Sequence, residues 1–508
     1  MQKTGSDEAP DEIDPVVLVR RAAAERDVHQ VAALLTRCPI ELWFRMPPSE
    51  LQLIIDTTPP RLLRPAGVGT LLMRASVSGV PRRRATSGRR PADGADERTR
   101  TAWQVLHAVQ LRLAGDPVQA TEILCELPLV RDPVTAVIDP GRGERASVVL
   151  QAALSAMLAG RERRARVLFE KALVFPVPPT LAFFRREAHL RIAIIEALDG
   201  DPDRARRHLH LARQVPRTDS WAEAALDTDE ALAEIATRAD EHPEAAFADL
   251  LQIPIAHMHE LWPYHALATY YLGMRTGRLP ELRERLAQLR AIRLAGTEGT
   301  GLMGSVLAQG LVVHGILAGV GGEVAAELEQ ADDTVWQTAV IAAGIALVRG
   351  APPQAMRLLH GASEQTRGLT RADTFRRMVL AVAHAVSDEH DDAESVLADI
   401  APHLDPLTLA MLGRFAPTFA ARAAQRVPGW PTDATVPADQ ATLRQRALTA
   451  RELELLTLLA RGLSRTEIAQ ELFITVNTVK THQRSLYRKL GATTRTDALR
   501  EGRRRGLV

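Results

Sequence analysis

The chain has 508 residues, 46% of them apolar and only 4% aromatic, which fits two to four soluble globular domains rich in helix. Two cysteines, Cys38 and Cys125, exclude a disulfide framework. No apolar run is long enough for a membrane span and the N-terminus lacks a signal-peptide core, so a cytoplasmic protein with no membrane partner is expected. The net charge of +1 hides an asymmetry, because residues 441–508 hold fourteen Lys/Arg against six Asp/Glu, leaving a basic end of +8 on a body of −7. A small basic module on an acidic body is the pattern expected where that module meets a polyanion.

In chain order, residues 1–14 (MQKTGSDEAPDEID) read as a short disordered acidic tail. Residues 15–75 form an N-terminal helical segment containing VVLVRRAAAERDVHQVAALL and a second stretch, ELWFRMPPSELQLIIDTT, broken by Pro47-Pro48. It reads as a small helical cap or an extra repeat. Residues 76–100 are rich in Arg, Gly, Pro and Ser without apolar periodicity, which predicts a linker.

From 101 to 426 the pattern is helical and repetitive. Aligned on their turns, LAGDPVQATEIL, LAGRERRARVLF, LDGDPDRARRHL, ADEHPEAAFADL, RTGRLPELRERL, VRGAPPQAMRLL and SDEHDDAESVLA each show one helix ending, a turn, and a second helix beginning. Gly115, Gly160, Gly200 and Gly350 each precede an alanine by five positions: Ala120, Ala165, Ala205 and Ala355. Glu241–Ala246 and Asp388–Ala393 keep the offset without the glycine, and Gly277–Leu282 keeps the glycine without the alanine. With a degraded copy near Gly319 there are eight turns, about 39 residues apart against roughly 34 for tetratricopeptide repeats. The small residue at fixed offset lets paired helices approach closely. The region resembles a degenerate tetratricopeptide-like solenoid, which implies a concave surface for a protein or small-molecule effector.

Residues 427–445 are a Pro-rich linker, and residues 446–508 carry the readable chemistry. Four short helices are expected, each opened by a hydroxyl: Thr449 with Glu452, Ser464 with Glu467, Thr475, and Thr494 with Asp497. Gly462 and Gly491 sit where the first and third must stop. At about 100° per residue, with Val479 at zero, His482 lies at about 300°, Leu486 at 340° and Leu490 at 20°, an apolar seam. Lys480 lies at about 100°, Arg484 at 140°, Asn477 at 160°, Arg488 at 180° and Thr481 at 200°, an outward face of cations and hydrogen-bonding groups. Such a face suits the major groove. RTEIAQELFI supplies the preceding helix, with Ala469 small at the crossing.

The module resembles the LuxR/NarL/FixJ-type helix-turn-helix of bacterial transcription regulators, through LTARELELLTLLARGLS, EIAQELFIT, NTVKTHQRSLYRKLG and RTDALREG in order. The resemblance implies that the third helix enters the major groove, with Lys480, Thr481 and Arg484 facing bases. It places Thr478 and Val479 at the backbone and lets Lys489 meet phosphate. It also implies homodimerisation on DNA through the fourth helix, Arg495 to Arg505, whose apolar stripe (Ala498, Leu499) is thin. Two positions depart from the family's habit: Arg465, which adds a candidate phosphate contact, and Val476.

Large LuxR-type regulators of the maltose-activator kind join such repeats to such a module and begin with a nucleotide-hydrolysing domain. A P-loop needs Gly-Lys, and that pair occurs nowhere here. His257, His259 and His265 have the wrong spacing and a proline between them for a zinc helix, and His208 and His210 read as packing histidines. There is no GxSxG, CxxC or dinucleotide fingerprint. The expectation is therefore an all-α chain with no catalytic, metal or cofactor residues. Its function is sequence-specific binding of double-stranded DNA, with RNA polymerase as a further partner. The alternative is a repeat-based adaptor whose basic bundle binds a protein.

Overall fold

The computed structural model describes residues 14–63, 97–131, 142–294, 296–317, 325–431, 450–472 and 474–504. Most of both expected linkers, the acidic tail to residue 13, the copy near Gly319 and the Thr449 cap lie outside these residues. Among the described residues the regular elements are helices, with no strand. In order they are α1 (Pro15–Ala24), α2 (Val28–Arg37), α3 (Pro39–Arg45), α4 (Pro48–Thr57), α5 (Glu97–Leu113), α6 (Pro117–Glu126), α7 (Pro128–Arg131), α8 (Glu144–Leu158) and α9 (Glu162–Val174). Then come α10 (Phe183–Leu198), α11 (Pro202–Gln214), α12 (Glu223–Thr237), α13 (Pro243–Gln252), α14 (Trp262–Thr276), α15 (Leu279–Ala291), α16 (Gly301–Leu317), α17 (Trp336–Val348), α18 (Pro352–Gly361) and α19 (Ser363–Thr366). The last are α20 (Thr370–Val386), α21 (His390–Ile400), α22 (Pro406–Phe415), α23 (Pro417–Arg426), α24 (Ala450–Ala460), α25 (Arg465–Glu471), α26 (Val476–Leu490) and α27 (Arg495–Arg504). No helix is long and apolar enough to cross a membrane among the described residues.

The helix pairs form where the turn pattern places them. Second helices repeatedly open on proline, whose fixed φ suits the first turn and whose missing N–H costs nothing there. Gly115, Gly277 and Gly350 are left-handed after a first helix, and Asp388 takes the same conformation at φ 62° in the copy without glycine. All six alanines at the offset, Ala120, Ala165, Ala205, Ala246, Ala355 and Ala393, are fully buried. Leu282, the exception, is buried as well. Its partner helix supplies the small residue instead, for a Cβ on Gly273 would stand 2.9 Å from that of Leu282.

Gly200 differs from Gly115, Gly277 and Gly350. It is not left-handed, and its glycine is required by space, because a Cβ there would stand 2.0 Å from Oε2 of Glu196. That oxygen accepts the backbone N–H of Asp201 at 2.8 Å.

The chain divides into two compact units. The first comprises Met1–Ala156, Arg164–Arg191 and His210–Asp227. Within it, α1 to α4 enclose their own core of Val19, Leu35, Leu42, Met46, Leu51 and neighbours. These helices are also clamped to distant chain. Arg45 pairs with Asp14 and Asp219, both at 2.6 Å, and the two carboxylates hold its guanidinium well above the usual arginine range. Phe44 stacks on Trp221 (5.2 Å between ring centres) and meets Phe183 edge-on. The buried Glu41 carboxylate accepts from Arg142 Nε at 2.8 Å and the Thr180 hydroxyl at 2.5 Å.

The second unit comprises Met157–Arg163, Ile192–Leu209 and Thr228–Val508. In it, first helices stack on first helices: α14 on α16, α16 on α17, α17 on α20 and α20 on α22. α22 also packs back against α14. Within this unit the row of first helices therefore returns on itself. Its interior is filled by the unit's own turns. A Cβ on Gly301 would stand 2.6 Å from the backbone of Ala159, and the N–H groups of Arg371 and Ala372, opening α20, donate to the carbonyls of Gly200 and Asp199.

Candidate nucleic-acid interface

The four C-terminal helices close on Leu455, Leu456, Leu459, Ile468, Ala469, Leu472, Val479, Leu486, Leu490 and Ala498. Their termini follow the capping logic. Ser464 and Glu467 form a reciprocal capping box, and the Ser464 N–H holds the Glu467 carboxyl below its usual range. Thr475 Oγ1 accepts the N–H of Thr478 at 3.1 Å, and Thr494 Oγ1 that of Asp497 at 3.1 Å. Gly462 and Gly491 end α24 and α26 in left-handed geometry.

Between α25 and α26 lies a short turn with Ala469 buried at their crossing, the arrangement of a helix-turn-helix. On α26, Lys480, Thr481, Arg484, Asn477 and Arg488 are exposed and Thr478 is half-buried. The helix carries cations but no acid. The acids of the domain sit on the other helices, and three pair with cations there: Glu454 with Arg451, Glu471 with Arg461, Asp497 with Arg500. Among the described residues, Lys480 and Arg484 take no part in these pairs. A cationic, donor-rich surface therefore stays uncompensated on one helix face.

Four details bear on the roles expected from the wheel and from the family resemblance. Val479 is 1% exposed and faces the core, so its side chain cannot reach outward. Lys489 is committed to Glu452 at 2.6 Å, an ion pair in which both side chains are largely buried, tying α26 to α24. Arg465 donates from Nε to Oε1 of Gln483 at 2.7 Å. Gln483 rather than His482 completes the seam: its Nε2 lies 2.6 Å from the Tyr487 hydroxyl, so both ends of the amide are satisfied and it can be buried at 7% exposure. The Gln483–Tyr487 spacing of one helical turn was the available signal for this bond.

These four helices are a LuxR-family helix-turn-helix domain: the family of bacterial regulatory proteins of the luxR type matches residues 446–501. Among relatives, the transcriptional regulatory protein LiaR of Bacillus subtilis (strain 168) is 47% identical over 66 residues, which are 13% of this chain and 31% of LiaR. The HTH-type transcriptional regulator MalT of Yersinia enterocolitica serotype O:8 / biotype 1B is 44% identical over 62 residues, 12% of this chain and 7% of MalT. The similarity thus spans a minor part of either relative and of this chain.

Proposed function

We propose that the protein is a cytoplasmic transcription regulator that binds double-stranded DNA as a homodimer, with α26 in the major groove. Lys480, Thr481 and Arg484 read base edges, and Asn477, Thr478 and Arg488 meet the backbone. Arg465 holds the register of α25 on α26 and reaches phosphate from the same edge. Lys489 and Val479 support this surface from behind. The remaining helices receive a protein or small-molecule effector, and RNA polymerase is a further partner of the bound dimer.

The observation that carries the reading is the acid-free outward face of α26, on which Lys480 and Arg484 stand without carboxylate partners among the described residues. Placing such charges together costs repulsion that a phosphate backbone removes. The test is fluorescence anisotropy of the full-length protein on genomic duplexes across a salt series. With about four to five phosphate contacts the slope of log K against log[salt] is near −4. A protein that ignores duplex DNA at low salt, with or without cell extract as a source of effector, refutes the proposal.

A further inference from the structure

Three acids on the turns that fill the second unit, Glu162, Glu196 and Asp199, are each 1% exposed. Glu196 is satisfied by the Asp201 N–H and by Arg204. The other two are not. Glu162 Oε1 accepts from Gln337 Nε2 at 3.4 Å, and Asp199 Oδ1 accepts from the Tyr271 hydroxyl at 3.2 Å. The second oxygen of each, together with Oε1 of Gln337, has no hydrogen-bond partner among the described residues. Gln337 is 2% exposed, and an amide carbonyl cannot meet its need by taking up a proton. The buried Tyr264 hydroxyl acts on Glu162 while donating to the Met157 carbonyl at 3.0 Å. Arg371, which acts on Asp199, pairs through Nη2 with Asp240 and offsets the Asp199 charge only in part.

We propose that Glu162, Asp199 and Gln337 form a binding site for a small primary amine, whose ammonium group carries three N–H donors for three open acceptors. A positive charge beside two carboxylates is favoured in a desolvated interior. A metal ion suits the site less well. Among the described residues the three-ligand group able to hold one lies elsewhere, at His384, Glu389 and Asp392. At 1–2% exposure the amine enters only as the 159–162 turn moves from α16 and α17, so occupancy is coupled to how this interior packs. Amine binding stands by itself; a role for it as effector rests on the DNA-binding reading.

The test uses full-length protein, with n-butylammonium chloride as probe and n-butanol, sodium chloride and magnesium chloride at matched ionic strength as controls. The thermal midpoint rises with the ammonium salt alone. Its apparent affinity grows by up to about tenfold from pH 6 to 7, because binding displaces a proton from the acid pair, in which Glu162 is raised to about 7 and Asp199 is raised as well. Glu162→Gln and Asp199→Asn melt cooperatively without ligand and lose at least tenfold in amine affinity. Gln337→Leu loses severalfold. A response to n-butanol or magnesium equal to that of the ammonium salt, no response at all, or an unchanged response in Glu162→Gln overturns the site. Anisotropy on duplex DNA is read separately: failure to bind DNA in either condition counts against the regulator reading and leaves the amine titration to decide the site on its own.

Discussion

Lys480 and Arg484 lie one turn apart on α26, and at that spacing two cations address neighbouring base pairs. Replacing either by alanine is expected to weaken binding to the preferred site by about 1–3 kcal/mol while binding to unrelated duplex changes much less. Competition anisotropy with specific and scrambled duplexes measures both. Equal loss on both duplexes reassigns the residue to phosphate. Lys489 gives the contrast. Its bond to Glu452 holds two helices together, so Lys489→Ala should remove the cation that pairs with a buried carboxylate and lower stability with little change in sequence preference. On the wheel Lys489 lies at about 280°, beside the seam and off the outward face that holds Lys480, but its partner stands 37 positions earlier and left no periodic signal. The wheel could not choose between His482 and Gln483, which flank the seam at about −60° and +40°. Arg465 and Tyr487 decided the matter by satisfying both ends of the Gln483 amide.

At the level of helix pairs, close crossing was legible because it demands a small side chain at a constant distance from the turn. Leucine at position 282 looks like a failure of the pattern when one helix is read at a time. It is a transfer of the small residue across the contact, from the second helix to Gly273 on the first. Gly273→Ala is therefore expected to destabilise by about 1–3 kcal/mol, because the obstruction is the Cβ of Leu282 and not a movable side-chain tip. Leu282→Ala alone empties a buried site and costs about 2–5 kcal/mol. The double variant restores the arrangement of the other pairs, so its cost should fall short of the sum by about 0.5–3 kcal/mol. Urea unfolding of the four proteins measures this coupling, and simple additivity would show that the two residues do not share one constraint. Contacts between distant helices left no comparable trace. Nothing periodic announces that α22 returns to α14, or that Phe44 stacks on Trp221, because such meetings depend on the summed rotation of intervening pairs.

Across the whole molecule, buried titratable groups pull stability in opposite directions, and their windows can be separated. Burial raises the Glu162 carboxyl to about 7, and burial and then the neighbouring Glu162 raise Asp199. A carboxyl whose folded pKa is raised stabilises the fold in its protonated form. That contribution is complete below the unfolded value near 4.5 and is lost as pH climbs towards 7. Burial lowers His208 to about 4 and His265 to about 3. Those neutral rings stabilise the fold fully above the unfolded value near 6.5, and the benefit drains away as pH falls towards 4 and then 3. Asp14 and Asp227, held below the usual carboxylate range by Arg45 and Arg217, act only at more acidic pH. Above about 6.5 the acid pair therefore acts almost alone, and below it the histidines oppose the acids. The thermal midpoint of the amine-free protein is expected to pass through a shallow maximum near pH 6 and to decline towards pH 8. Glu162→Gln cannot ionise, so it should be the more stable protein at pH 8, by an amount on the order of 3 kcal/mol at most. The gap should close as pH falls to 5, where wild-type Glu162 is itself protonated. Parallel curves for the two proteins across this range would mean that Glu162 titrates as an ordinary solvated acid, and the buried interior of the second unit would then have to be open to water.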